Sequence, residues 1–285
     1  MKQGKRIFCL AMVTMQSVSA QSILSRDGVE YAYPRVSADD SKLLFQSNQT
    51  GKWQLYNMNL GDSSITTLWS DTFNNYFPDW NKDLSIVAFT SDRDSNENIF
   101  LFERHTGTIK RISWNKARNI HPYFSPDSKY ILYSSTAGNG SLDIYRYELF
   151  SGETLRLTHT EEDETCARYS PQMNKIVYLK NGIVSDDIFV LDCSTFIADN
   201  ITNDPIIRDG WPMFSPDGKW IYYSSMETGV FCIYRISVKT RQKVQLTYAG
   251  PAEEDARVFI SSRSKRIFYN RRKGNALAIM ARTME

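Results

Sequence analysis

One short pattern recurs six times along the chain, and it constrains the fold more than any other feature of the sequence. Its anchor is a proline or an alanine. The anchors are Pro34, Pro78, Pro122, Ala167, Pro212 and Ala256. Their successive spacings are 44, 44, 45, 45 and 44 residues. A period of this length is typical of a repeat architecture in which each copy forms one structural unit.

Each copy continues with a turn and a series of short β-prone segments. The turn is clearest at residues 125–129 and 215–219, which read Ser-Pro-Asp-Ser-Lys and Ser-Pro-Asp-Gly-Lys. Proline presets φ in such a turn, and Asp and Gly supply local hydrogen bonding and backbone freedom. Residues 130–133 and 220–223, which follow the turns directly, are apolar and aromatic and therefore favour strands. The two acids of these turns, Asp127 and Asp217, are explained by turn formation.

The content of one copy predicts a propeller blade of four short antiparallel strands. Most copies carry an aromatic residue two places after the anchor, and we expect these residues to fill the space between neighbouring blades. They are Trp80, Phe124, Tyr169 and Phe214. The sixth copy ends before its fourth strand, whereas Leu24 precedes Leu68 by one repeat length. We therefore predict an all-β fold over residues 21–285, a six-bladed propeller whose last blade is closed by the N-terminal strand.

The composition agrees with a globular domain and argues against a nucleic-acid-binding surface. Hydrophobic residues make up 41% of the 285 residues, enough for a sizeable core. Lys and Arg number 34 against 32 Asp and Glu, a net charge of only +2. We therefore expect no nucleic-acid partner. We also expect a monomeric propeller.

The first 20 residues have the character of a secretory signal peptide. Lys2, Lys5 and Arg6 precede an apolar run at residues 7–15, and small or modest residues follow up to Ala20. The run has about half the length that spans a bilayer, so we expect no transmembrane anchor. A buried N-terminal strand is the alternative interpretation. Export predicts a periplasmic or secreted location, and the leader does not distinguish between the two.

Cysteine usage points neither to a metal site nor to a redox dithiol. Removal of the leader leaves Cys166, Cys193 and Cys232, an odd number without any C-x-x-C spacing. One disulfide is allowed but not required. We expect three small buried thiols.

The Ser-Pro-Asp turns followed by aromatic strands, at residues 125–133 and 215–223, resemble the PD40, or WD40-like, repeats of the TolB propeller. The resemblance extends over all six copies. It implies a periplasmic or secreted protein that binds other proteins. TolB also carries an α/β domain before its propeller, and we expect this chain to lack that domain. Similar repeats occur in prolyl-oligopeptidase-like enzymes, which need a separate hydrolase domain.

We expect the functional site at the mouth of the central channel, where the loops lead into the innermost strands. Taking the residue three places before each anchor gives a candidate rim of ligand-binding residues. These are Tyr31, Asn75, Asn119, Glu164, Asp209 and Glu253, and His121 lies nearby at the channel. The carboxylates Glu164, Asp209 and Glu253 are candidate ligands for a metal such as Ca²⁺. The same rim could bind a Lys- or Arg-bearing partner segment or a polar sugar, or be a solvated loop surface without a ligand.

Catalytic motifs are weak in this sequence. It lacks a G-x-S-x-G elbow and an H-E-x-x-H pair, and of its three histidines only His121 is expected at the channel. We therefore predict a non-catalytic module that binds a protein or peptide in the cell envelope. The alternative is a metal-assisted lyase or hydrolase that acts on a small sugar or lactone in the channel. A third possibility is a propeller that senses a ligand within an envelope assembly.

Overall fold

The regular elements are all β-strands in the parts of the chain that the computed structural model describes, residues 20–113 and 116–284. In chain order they are β1 (Gln21–Leu24), β2 (Tyr31–Val36), β3 (Lys42–Ser47), β4 (Gln54–Asn59), β5 (Ile65–Thr67), β6 (Asn75–Trp80), β7 (Ile86–Ser91), β8 (Asn98–Glu103), β9 (Thr108–Arg111), β10 (Asn119–Phe124), β11 (Tyr130–Ser135), β12 (Asp143–Glu148), β13 (Thr154–Arg156), β14 (Asp163–Tyr169), β15 (Lys175–Asn181), β16 (Asp186–Asp192), β17 (Ala198–Asn200), β18 (Asp209–Phe214), β19 (Trp220–Ser225), β20 (Cys232–Ser237), β21 (Lys243–Gln245), β22 (Glu253–Ile260), β23 (Arg266–Lys273) and β24 (Ala276–Thr283).

These strands form six antiparallel sheets of four strands each, as the repeat predicts. Blades 1 to 5 are β2–β5, β6–β9, β10–β13, β14–β17 and β18–β21, and blade 6 is β22–β24 together with β1. The first strand of each blade contacts the first strands of the two neighbouring blades, so these six strands surround the central axis. The prediction of an all-β, six-bladed propeller is confirmed.

The two ends of the chain close the ring. Strand β1 pairs antiparallel with β24, with Gln21 opposite Ala281 and Leu24 opposite Ile279. Ile23 and Leu24 also pack against the apolar cluster that joins blades 6 and 1. The predicted closure by the N-terminal strand is therefore confirmed, and the pairing covers the outer edge of blade 6.

The core lies mainly between the blades. The predicted aromatic residues fill these spaces: Trp80 packs with residues of blades 1 and 2, and Phe214 with residues of blades 4 and 5. Phe124 packs in the same manner between blades 2 and 3, and Tyr169 between blades 3 and 4. Packing both faces of each sheet against a neighbour removes apolar surface from water, which a lone four-stranded sheet cannot do.

The Ser-Pro-Asp turns form the predicted local bonds. In blade 3 the Ser125 hydroxyl donates to Asp127 at 2.7 Å, and the Lys129 amide donates to the same carboxylate at 3.1 Å. The turn at Ser215 and Asp217 repeats this arrangement at 2.6 Å. Both carboxylates are thereby occupied in holding the turn between the first and second strands of a blade.

In the sixth copy, the structural equivalents of the repeat positions lie two residues later than the sequence motif places them. In blade 1, Arg35 pairs with Leu44 and Tyr31 with Ser47; the equivalent pairs in blade 6 are Phe259 with Phe268 and Asp255 with Arg271. Val258, not Ala256, is therefore the structural counterpart of the other anchors. The reason is that β22 has eight residues where β2 has six, and the extra length cannot be recognised from the repeat motif.

The predicted signal peptide lies outside the described residues apart from Ala20. Within residues 20–113 and 116–284, no helix is long and apolar enough to cross a membrane. Cys166 and Cys232 are buried, Cys193 is partly exposed, and all three are free thiols.

Candidate functional site

The innermost strand of every blade carries a bulge at the same place. The register of β2 against β3 shifts between Ala32 and Arg35, and the other five blades show the same shift. One residue in each bulge has a positive φ, between 50° and 57°. These residues are Tyr33, Phe77, His121, Cys166, Trp211 and Arg257. A positive φ is uncommon outside glycine, so its repetition in six bulges marks a constraint shared by all the blades.

Each of the six bulge side chains contacts at least one other around the axis, and we call them the bulge ring. Phe77 lies 4.7 Å from Tyr33 and 4.1 Å from His121 between ring centroids. The Cys166 Sγ is 3.8 Å from His121 Nδ1. Arg257 lies over the rings of Tyr33 and Trp211, at 5.1 and 4.7 Å from their centroids. The bulge therefore brings one side chain per blade to the channel.

A second set of six residues, two places further along each strand, forms the next layer of the channel. It consists of Arg35, Asp79, Tyr123, Arg168, Met213 and Phe259. Arg35 of blade 1 lies over Tyr123 of blade 3 at 4.9 Å and over Phe259 of blade 6 at 5.5 Å. Arg168 of blade 4 lies over the same two rings. Contacts between blades that are not neighbours place these side chains at the axis. We call this set the arginine layer.

A cavity opens on each of these layers. A cavity of about 410 Å³ adjoins the arginine layer at the C-terminal ends of the innermost strands, and all six blades contribute to its wall. A second cavity, of about 320 Å³, lies beside the bulge ring and is lined by Tyr33, Phe77 and Arg257 together with Trp53 and Tyr76. The channel therefore has one pocket at the arginine layer and one at the bulge ring.

Burial and mutual repulsion shape the charge state of the channel. Burial lowers the pKa of His121 to about 3, and nearby arginines, among them Arg257, act in the same direction. The imidazole is therefore neutral near pH 7. Burial also lowers the pKa of the Arg35 guanidinium, with the charge of Arg168 next in effect. Burial raises the pKa of Asp79 despite the neighbouring Arg35.

Most of the rim residues predicted from the sequence lie between blades. Asn75 donates to Gln54 of the preceding blade at 3.3 Å and accepts from Arg93 of its own blade at 3.0 Å, and Asn119 donates to Asn98 of the preceding blade at 3.1 Å. Tyr31 is buried against the core between blades 6 and 1. These side chains pack between one blade and the next. The side chains that reach the axis are those in the bulge and after it. Of the predicted set, the structure places His121 in the bulge ring.

The three predicted metal ligands are not brought together. Glu164 is fully buried beside a cavity of about 390 Å³ between blades 3 and 4, where burial raises its pKa. Asp209 is buried one blade further on, and burial raises its pKa to about 6. Glu253 lies outside the repeat register, 3.1 Å from the Lys273 ammonium. Among residues 20–113 and 116–284, no three His, Cys, Asp or Glu side chains form a group that could hold a metal ion.

In blade 6, Asp255 and not Glu253 is the structural equivalent of the other predicted rim residues. This carboxylate is fully buried and accepts two hydrogen bonds from Arg271, from Nε and Nη2, both at 2.7 Å. The error follows from the two-residue difference in the sixth copy. As a ligand for a small molecule or a cation, the predicted rim stays a prediction.

Sequence reasoning missed the arginines of the channel. Arg35 and Arg168 directly follow an anchor. Simple strand alternation places the residues on both sides of the anchor on the same face as the residue three places before it, so it does not predict that only the first two reach the axis. The bulge explains it, since the extra residue resets the alternation. The available signal was the large residue before proline in four copies, at Tyr33, Phe77, His121 and Trp211.

Comparison with known proteins places the chain in a family. The PD40 family model, described as the TolB beta propeller domain, matches residues 3–182, which is more than half of the chain. The chain therefore belongs to the TolB β-propeller family, as its repeats predict.

Curated relatives match only part of the chain. The Tol-Pal system protein TolB of Francisella tularensis subsp. mediasiatica is 32% identical over 153 residues, which cover 53% of this chain and 35% of that protein. An uncharacterized protein of Agrobacterium fabrum is 24% identical over 104 residues, covering 36% of this chain and 35% of that protein. The chain thus matches about a third of the length of these relatives.

Solved structures show the same fold. TolB from Acinetobacter baumannii has a TM-score of 0.64 at 19% identity and covers 89% of this chain and 63% of its own. An oligogalacturonate lyase in complex with manganese has a TM-score of 0.66 at 14% identity and covers 95% of both chains. At these identities the likeness extends to the propeller fold alone.

Proposed function

We propose that this protein is an exported, non-catalytic propeller that binds a protein or an extended peptide at the bulge-ring mouth of its channel. The bulge ring carries this proposal. It presents Phe77 and Trp211, both half-buried, beside Arg257 and a cavity of about 320 Å³. Aromatic residues and arginine are the residue types that dominate binding energy at protein interfaces.

The chemistry of the channel supports binding rather than catalysis. His121 is buried among arginines, and a pKa of about 3 makes its imidazole a weak base. The carboxylates that the rim hypothesis assigned to metal chemistry lie apart from one another, between blades or outside the register. The curated relatives named as Tol-Pal system proteins add to the case for a role in an envelope assembly. A periplasmic or secreted location follows from the predicted leader.

The experiment is affinity capture from the envelope fraction of the native cells, followed by calorimetry with the purified partner. We expect Trp211→Ala to weaken binding by more than about tenfold, as truncation of a central aromatic anchor does. The matched control is Phe150→Ala, since Phe150 is fully exposed in a hairpin at the outer edge of blade 3. Equal affinities for the two variants would contradict the proposed site.

One observation favours the second candidate function. The oligogalacturonate lyase superposes over 95% of both chains. Incubation of the folded chain with oligogalacturonate and Mn²⁺ tests this candidate directly. Formation of an unsaturated uronate product would replace the binding proposal, and the absence of turnover would remove the lyase candidate for that substrate.

A further inference from the structure

Several polar atoms of the arginine layer are buried without a hydrogen-bond partner. They are Nε and Nη2 of Arg35, Nε of Arg168 and the hydroxyl of Tyr123. Arg35 is only 1% exposed and uses Nη1 to donate to the Pro34 carbonyl at 2.8 Å. Buried donors are normally satisfied, and a charged group left unpaired costs more than a neutral one. Their clustering at one cavity points to a ligand that accepts hydrogen bonds.

The charge around this cavity is positive. Asp79 is the one carboxylate in its wall, and Lys82 stands exposed at the opening. Asp79 lies 3.5 Å from Arg35 Nε, and its second oxygen already accepts the Phe124 amide at 2.8 Å. Arg168 donates from Nη1 to the Met213 sulfur at 3.3 Å and lies over two aromatic faces. One Asp therefore faces the guanidinium groups of the buried Arg35 and the partly buried Arg168, and an excess of one positive charge remains at the axis.

The remaining wall is largely apolar. Trp80, Phe124 and Phe214 contribute to it, and the hydroxyl-bearing Ser37 and Ser215 lie at the strand ends. A cavity of about 410 Å³ accommodates a small organic molecule or one or two side chains. A site with one surplus cationic charge and aromatic walls matches a monoanion that carries an apolar group.

We propose that this cavity, the arginine chamber, binds an organic carboxylate. The carboxylate lies between Arg35 and Arg168 and accepts hydrogen bonds from their free nitrogens and from the Tyr123 hydroxyl. Its apolar part packs against the aromatic wall. Guanidinium is the group best suited to a planar carboxylate, because its donors match the two oxygens. This site is distinct from the bulge-ring mouth and does not depend on a protein partner there.

Calorimetry with phenylacetate as the probe tests the proposal, with phenylacetamide as the neutral isostere. We expect phenylacetate to bind and phenylacetamide to bind at least about tenfold more weakly, since charge-assisted hydrogen bonds carry the affinity. Arg168→Met keeps an aliphatic chain beside Tyr123 and should weaken phenylacetate binding by about tenfold or more. The matched control is Arg235→Met, because Arg235 also stacks on an aromatic ring, Trp220 at 4.6 Å, away from the chamber.

A variant that is expected to bind phenylacetate more tightly distinguishes a specific change in affinity from a loss of folding. Asp79→Asn removes the one carboxylate of the chamber while its side-chain oxygen can still accept the Phe124 amide. We expect this variant to bind phenylacetate several-fold more tightly, since the attraction of the chamber for an anion rises. Equal binding of acid and amide, or unchanged affinity in both Arg168→Met and Asp79→Asn, would overturn the proposal.

Two sources of the carboxylate can be separated in the same assay. A peptide ending in Phe with a free C-terminus competes with phenylacetate if the chamber takes a partner's terminal carboxylate, whereas its amidated form does not compete. A small-molecule site binds phenylacetate and excludes both peptides. Loss of partner binding in Trp211→Ala with intact phenylacetate binding would support both proposals separately.

Discussion

Each innermost strand contributes one residue to each of two sets, and the two residues lie two positions apart. The side chains of the two sets lie in different parts of the molecule. One set begins at Tyr31 and ends at Asp255, and its side chains lie buried between blades, where they bind the preceding or following strand. The other begins at Tyr33 and ends at Arg257, and its side chains meet around the axis. Because of the bulge, one short strand both contacts the neighbouring strands and lines the channel.

We infer from this difference that the first set contributes mainly to stability and the channel layers mainly to recognition. The first set is acidic or amide-bearing in five of six blades; Asn75 and Asp255 have hydrogen-bond partners in the protein, whereas both carboxylate oxygens of Glu164 and one of Asp209 are buried without one. The channel layers carry the aromatic rings and the guanidinium groups whose donors are unsatisfied. The acidic side chains of the first set therefore precede the bulge, whereas the arginines of the channel lie in the bulge or after it.

The largest expected effect comes from the set that precedes the bulge. Asp255→Ala leaves Arg271 without its bidentate partner, and breaking a buried ion pair should lower the free energy of unfolding by about 3 kcal/mol. Urea unfolding of the folded chain measures this change. Arg257→Ala, on the same strand, serves as the control and should cost about 1 kcal/mol, from lost cation–π contacts. Equal losses in both variants would remove the distinction between the two sets.

A smaller effect should appear at the bulge ring as the pH falls. The pKa of His121 is about 3 in the folded protein and near 6.5 in the unfolded chain. The unfolded state therefore binds an extra proton between these values, and stability decreases as the pH drops below about 6.5. Relative to His121→Phe, the wild type should lose up to about 2 kcal/mol between pH 7 and roughly pH 5. Parallel unfolding curves for the two proteins at both pH values would contradict a buried neutral imidazole.

The repeat predicted the fold because it combines several independent signals. Spacing, the Ser-Pro-Asp turns and the aromatic positions all indicate one blade, and Leu24 marks the closing strand by its distance from Leu68. The site was harder to predict because it depends on the bulge, a backbone feature that changes which residues reach the axis. The shifted sixth copy has a different origin, since the two additional residues of β22 precede its bulge and leave the short motif looking regular.

The sign of the charge at the axis is the central claim, and bromide soaking of crystals tests it most directly. Bromide is a monoanion with a strong anomalous signal, so its position can be read from a difference map. We predict a bromide peak in the arginine chamber, between the guanidinium groups of Arg35 and Arg168. A chamber without bromide, together with a Mn²⁺ peak shared by Glu164 and Asp209 in a parallel soak, would contradict the account.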